Sequence, residues 1–199
     1  MPSPSNLGDL GHQIAVLPAS TATTAWLDQQ TAADTGTIVA TGRVLDFGLN
    51  IGVGSTGAKT LDGTVNPLAV GPLRQYHSVT IALPLQLYFA DSGDYVFFSI
   101  AHQQRSATSG AGSTWATVKT DAGPHTKFRM GTSTEATFFH GVASSVNTQA
   151  LQRYYRAQVT MTRRLGTDTG AQDTTTGSTQ LCVGPSYILS GANEFPAQE

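Results

Sequence analysis

The chain has 199 residues, of which 39% are hydrophobic and 12% charged, and a formal net charge of -2. That length is enough for one domain with a real core, and the charge gives no electrostatic case for nucleic-acid binding, which usually needs a basic face. Charged residues are far below the roughly 25% of an average globular chain. Thr, Ser and Gly fill the gap, which suits strands and turns and excludes a bundle of helices built on Glu, Lys, Leu and Ala.

The single cysteine, Cys182, rules out an intrachain disulfide. Its setting, LCVG, reads as a buried and inert thiol. MPSPSNLGDLGHQ has neither the basic nor the apolar region of a secretory signal. No apolar run reaches the length of a membrane span, so the expectation is a soluble protein made in the cytoplasm.

Residues 1–42 are poorly patterned, with Pro2, Pro4, Pro18 and the tract ASTATTAW, and read as an N-terminal arm in which His12 to Leu17 is a candidate strand. A domain spanning 43–199 follows. GRVLDFGLN reads as a short strand, and residues 51–74 as a loop punctuated by Gly and Pro. In SVTIALPLQLYFA, Val79, Ile81, Leu83, Leu85, Leu87 and Phe89 alternate with more polar neighbours, the period of a strand with one buried face. Pro84 interrupts it and cannot donate to a ladder. The expectation is two shorter strands meeting at a bend near Pro84, or an edge position.

Asp91-Ser92-Gly93-Asp94 reads as a hairpin turn into DYVFFSIAHQQ, where Val96, Phe98, Ile100 and His102 share one side. Further strands are expected at WATVK, around Phe128 and Phe138-Phe139, at RYYRAQVTMTRR and at QLCVGPSYILS, with a short helix near 143–152. In RYYRAQVTMTRR, Tyr155, Ala157, Val159 and Met161 face one way, and Tyr154, Arg156, Gln158, Thr160 and Thr162 the other. Arg163 and Arg164 read as a solvated strand end. Short strands, turns and almost no helical period indicate an all-β antiparallel sandwich, jelly-roll-like, with an extended arm and long loops.

Chemistry is scarce. His12, His77, His102, His125 and His140 show no metal-ligand spacing and read as surface or core residues. Asp91 and Asp94 fit turn chemistry better than calcium binding. GVGSTGAK lacks the frame of a phosphate loop, and no GxSxG motif occurs. No catalytic residue, metal site or cofactor is expected.

The segments run in a definite order: GRVLDFG, SGDYVFFSIAHQQRS before a Trp strand, QRYYRAQVTM, a Thr/Gly connection, and a last apolar strand entering GANEFP. This order resembles the jelly-roll capsid cement (decoration) proteins of tailed bacteriophages, most closely in the RYYR strand and the NEFP tail. The arm and the loops at 51–74 and 164–179 are longer than in the simplest members. The resemblance implies a non-enzymatic virion protein on the capsid exterior. It would bind between subunits of the major capsid protein and self-associate as a dimer or trimer. Candidate contacts are Leu10, Ile14, Val16 and Trp26 in the arm, Tyr154 and Arg156 on the outward strand face, and Phe195 in the tail. The competing readings are another head–tail or tail component, a carbohydrate-binding sandwich using Tyr88, Trp115 or Tyr154, and a cupin-like metalloenzyme using the histidines.

Overall fold

A computed structural model describes residues 12–20, 27–28, 37–48, 67–88, 95–122, 127–129, 137–164, 180–182 and 184–192. Of residues 12–15, 27–28, 86–88, 127–129, 137–140, 180–182 and 192 only the backbone is described. Among the described residues there are thirteen strands: β1 His12–Pro18, β2 Leu27–Asp28, β3 Thr37–Thr41, β4 Leu45–Asp46, β5 Leu68–Ala69, β6 Ser78–Tyr88, β7 Tyr95–Arg105, β8 Ala116–Asp121, β9 Lys127–Arg129, β10 Thr137–Asn147, β11 Tyr154–Arg164, β12 Gln180–Cys182 and β13 Ser186–Ala192.

They form two layers. In the first, β6 has β10 on one flank and β13 followed by β12 on the other, with β1 beyond β13 and β2 beyond β12. In the second, β11 has β7 on one flank and β3 followed by β4 on the other, β5 lies beyond β4, and β8 and β9 lie beyond β7. The principal strands pair as β1 with β13, β3 with β11, β6 with β10 and β7 with β8, all antiparallel. First meets last, and each later strand meets the next one in from the end. A doubled ribbon wound into two facing sheets is a jelly roll.

Alternation builds the core. Val79, Ile81, Leu83 and Leu85 of β6, with Val142 and Val146 of β10 and Tyr187 and Leu189 of β13, are buried from the first layer. Val96, Phe98 and Ile100 of β7 and Tyr155, Ala157, Val159 and Met161 of β11 are buried from the second. Each fully buried aliphatic side chain of this kind is worth about 1.5–3 kcal/mol.

Several expectations are corrected. The 1–42 segment was read as an arm apart from the 43–199 domain, yet β1 and β3 are strands of the two sheets. The run from Ser78 is one strand in a central position, neither split at Pro84 nor at an edge. Its partner breaks instead. On one flank Pro84 pairs with Gly141. On the other, β12 ends at Cys182 opposite Leu85 and β13 begins at Ser186 opposite Ala82, so the partner advances one residue further than β6. The break holds Gly184 at φ +70°, a conformation that glycine adopts without Cβ strain. The ladder is thus interrupted opposite the residue that has no N–H to give, and Pro84 itself is exposed.

Strands β6 and β7 lie in different sheets, so Asp91 to Asp94 does not close a hairpin; the tetrad lies outside the described residues. Residues 143–147 continue β10, and only Thr148–Ala150 form a 3-10 turn, so the helix near 143–152 is absent. Arg163 is 1% exposed, not solvated, because it continues the inward series of β11.

Candidate functional site

Two clusters of polar and aromatic side chains stand out, one between the layers and one on the outer face of the second. The first centres on His102, which faces inward because it continues the Val96, Phe98, Ile100 series of β7. Its Nδ1 lies 2.8 Å from the Tyr155 hydroxyl on β11 and its Nε2 2.8 Å from Ser144 Oγ on β10. All three residues are at most 2% exposed. Ser144 Oγ donates to Asp121 Oδ2 of β8 at 3.1 Å. Since that hydroxyl proton is committed to Asp121, Ser144 accepts from His102 Nε2–H, and Nδ1 accepts from Tyr155 O–H. The donors run in one direction: Tyr155 to His102 to Ser144 to Asp121.

Burial, reinforced by the charge of Lys119 and opposed by that of Asp121, lowers the His102 pKa to about 4. The imidazole is therefore neutral at pH 7, as the bonding requires. Lys119 lies 3.8 Å from Asp121 and donates to the Ser145 carbonyl at 2.8 Å. Burial also raises the Tyr155 and Tyr187 phenols above their ordinary value.

A second tie crosses the core nearby. Tyr187 of β13 reaches over to β11, where its hydroxyl accepts the Ala157 N–H at 2.9 Å. Its ring meets that of Tyr155 edge-on at 5.6 Å. Ala157 sits where the neighbour of β11 changes from β3 to β4, and its carbonyl accepts from the Gly42 N–H at 2.7 Å. A Cβ on Gly42 would lie 2.1 Å from the Tyr187 oxygen, so only glycine leaves room.

Serine beside histidine suggests an activated nucleophile. The proton positions oppose it. A general base needs a free Nε2 lone pair facing the serine and a carboxylate holding Nδ1–H. Here Nε2 carries the hydrogen and Nδ1 faces a hydroxyl donor. This chain of bonds positions strands; it does not activate Ser144.

The outer cluster surrounds Trp115, which follows the 106–114 loop. Arg105 and Arg156 place guanidinium carbons 4.4 and 4.2 Å from the Trp115 ring centre. Val44 and Tyr154 pack with the same ring. Arg105 Nη1 donates to the Ser113 carbonyl at 3.2 Å, and Arg156 Nε to Gln103 Oε1 at 2.9 Å. Beside them Arg153 grips Asp46 through two bonds of 2.8 and 3.1 Å and lies 4.9 Å from the Tyr154 ring centre.

The sequence candidates divide accordingly. Tyr154 and Arg156 meet in the outer cluster, but Tyr154, expected outward and open, is 6% exposed because Trp115, Val44 and Arg153 cover it. Ile14 and Val16 lie on β1, paired with Ser190 and Ile188, and Val16 is 63% exposed. Leu10, Trp26 and Phe195 lie outside the described residues, as do Asp91, Asp94 and GVGSTGAK. Of the histidines, His77 is exposed and His102 buried, and the side chains of His12, His125 and His140 are not described. Among the described residues no three His, Cys, Asp or Glu side chains converge as metal ligands. Sequence reasoning did not bring Trp115 to Arg105 and Arg156, or Ser144 to His102, because both depend on which strands pair and face across the core. The one available signal was the inward phase of His102.

Strand order and core place this chain among antiparallel jelly-roll sandwiches. Neither protein families nor curated proteins gave a match to the sequence. Among solved structures, that of the infectious bursal disease virus Gt strain is similar with 11% identity and a TM-score of 0.43, covering 93% of this chain and 33% of the other. The infectious bursal disease virus VP2 subviral particle gives 11% and 0.43, covering 93% and 34%. The T13 particle of that virus gives 9% and 0.41, covering 92% and 31%. This chain spans about a third of the length of those it resembles.

Proposed function

We propose that this protein is a structural component of a virion, a cement protein that binds the outer surface of an icosahedral phage head between subunits of the major capsid protein. The reading joins the sequence resemblance to the jelly-roll order of the strands. The observation that carries it is the placement of exposed apolar side chains. Among the described residues, Val16 at 63% and Val39 at 57% are the exposed large hydrophobics, and they sit on β1 and β3. These strands flank the two layers on the same side of the sandwich, next to β13 and β11. A flank of this kind suits strand addition and apolar contact with a neighbour.

In this reading Ile14 and Val16 contribute the β1 edge, with Leu10, Trp26 and Phe195 as further contacts. Arg156 contributes a polar anchor, and Tyr154 holds the Trp115 cluster from beneath. Weak contacts repeated by shell symmetry add up through avidity, and self-association as a dimer or trimer places several copies at once. The role is non-enzymatic and located on the exterior of the particle. Stacking of a sugar on Trp115 is disfavoured, since two guanidinium groups already lie over that ring.

The test is co-sedimentation of the purified protein with expanded heads of its cognate phage, followed by thermal melting of the loaded shells. Binding with a raised melting temperature is expected, and Val16→Asp with Val39→Asp should abolish it. No binding to the shell refutes the assignment. Labelled microscopy of virions separates a head-surface location from one in the tail.

A further inference from the structure

The β8 and β10 strands close the flank opposite β1 and β3, and polar links join them across the layers: Ser144 to Asp121, Lys119 to the Ser145 carbonyl, and Ser144 to His102 behind them. On the inner face of β10, Ser144 lies between Val142 and Val146. Facing His102 are Tyr155 from β11, Lys119 and Asp121 from β8, and Ser144 from β10, with Tyr187 of β13 behind Tyr155.

We propose that the Tyr155–His102–Ser144–Asp121 chain is an acid-labile latch that closes the β8/β10 flank, and that protonation of His102 releases β10 from the second layer. The direction of the bonds gives the mechanism. In the closed state Nδ1 is the sole acceptor on that side of the imidazole and takes the Tyr155 O–H. A proton arriving at Nδ1 makes it a donor and drives the Tyr155 hydroxyl to turn. That hydroxyl is fully buried, with the Tyr187 ring edge-on beside its own. Turning it leaves a buried donor seeking a new acceptor, a costly condition in an apolar core. The imidazolium also faces Lys119, whose charge opposes it, and Asp121, whose charge favours it but lies beyond Ser144. Swinging β10 away hydrates both imidazole and phenol. Strand β10 is suited to move because β6 is its one ladder partner among the described strands.

Two measurements decide it. Imidazole nitrogen chemical shifts of the wild-type protein at pH 7 should show His102 neutral with its hydrogen on Nε2. A neutral Nδ1–H form or a charged ring overturns the proposal without any variant. Amide exchange, corrected for its chemical rate, should then show protection at Val142, Ser144 and Val146 falling roughly twentyfold between pH 7 and pH 5. At pH 5 those β10 amides should exchange through an opening easier than global unfolding, and so be less protected than Ala157 and Val159 of β11, which follow the global stability. In His102→Gln, which keeps a donor toward Ser144, the extra loss in β10 should vanish. Equal protection of β10 and β11 at pH 5, no fall in β10 between pH 7 and pH 5, or an undiminished fall in the variant would each overturn the latch.

Discussion

Replacing Gly42 with alanine tests the tie between Tyr187 and Ala157. The new methyl would sit 2.1 Å from the Tyr187 hydroxyl oxygen, 3.1 Å from the ring carbon that carries it and 3.2 Å from the Ala157 carbonyl. The first distance cannot persist, so the hydroxyl must leave. Overpacking of this kind costs about 1–3 kcal/mol. The displaced hydroxyl abandons the buried Ala157 N–H, which costs about 1–3 kcal/mol more. Gly42→Ala is therefore expected to lose about 2–6 kcal/mol, a large part of the stability of a typical domain. Tyr187→Phe alone should lose about 1–3 kcal/mol through the same N–H. Together they should not add. Without the hydroxyl the methyl meets only contacts that yield by a few tenths of an ångström, so the second substitution should cost little in the first background. Urea unfolding of the wild type, both single variants and the double variant measures the coupling, provided the denaturant slopes agree. A double variant more stable than the sum of the singles by about 2 kcal/mol is expected. Additivity within about 0.5 kcal/mol would refute the reasoning.

Four further outcomes follow from the same geometry. His102 has a folded pKa of about 4 against an ordinary 6.5. The unfolded chain thus takes up its proton first, and stability is full above 6.5, falls as the pH drops toward 4 and is level below. The wild type should lose about 2 kcal/mol between pH 7 and pH 5 beyond any loss in His102→Gln, by urea unfolding at both values. Gly184→Ala should cost about 1–2 kcal/mol for forcing a Cβ into positive φ, and Gly184→Asn less, read from thermal midpoints. Trp115→Ala should cost about 1–3 kcal/mol, as two guanidinium contacts and the cover over Tyr154 go together. Arg153→Met should change stability by less than about 1 kcal/mol despite its two bonds to Asp46, because the arginine is largely in solvent.

What the sequence made legible was phase, and what it withheld was partnership. The inward series of β6, β7 and β11 followed from alternation alone, because a two-residue period on a half-buried strand needs no knowledge of its neighbours. The same reasoning put His102 on one side with Val96, Phe98 and Ile100, and the structure shows that this side is the buried one. Alternation looks identical whether two successive strands pair or cross between layers, so Asp91 to Asp94 read as a hairpin although β6 and β7 are in different sheets. Arg163 was misread because charge was weighed above phase; its place after Met161 put it inside. Tyr154 was read correctly as outward in phase and wrongly as open, because its cover comes from Trp115 and Val44, far away in the chain.

Pro84 and Gly42 turn out to be one kind of feature seen in two layers. In each sheet a central strand is flanked by two short strands end to end, β12 with β13 beside β6 and β3 with β4 beside β11. Each junction leaves a short stretch of the central strand without a ladder partner on that flank. In the first layer the stretch contains Pro84, which has no N–H to satisfy. In the second it contains Ala157, whose N–H takes the Tyr187 hydroxyl and whose carbonyl takes the Gly42 N–H. The donor at the second junction is thus met from the layer that holds the first, since Tyr187 lies on β13 just beyond the Gly184 break. Both junctions are chemically closed by residues whose reason is invisible in either strand alone.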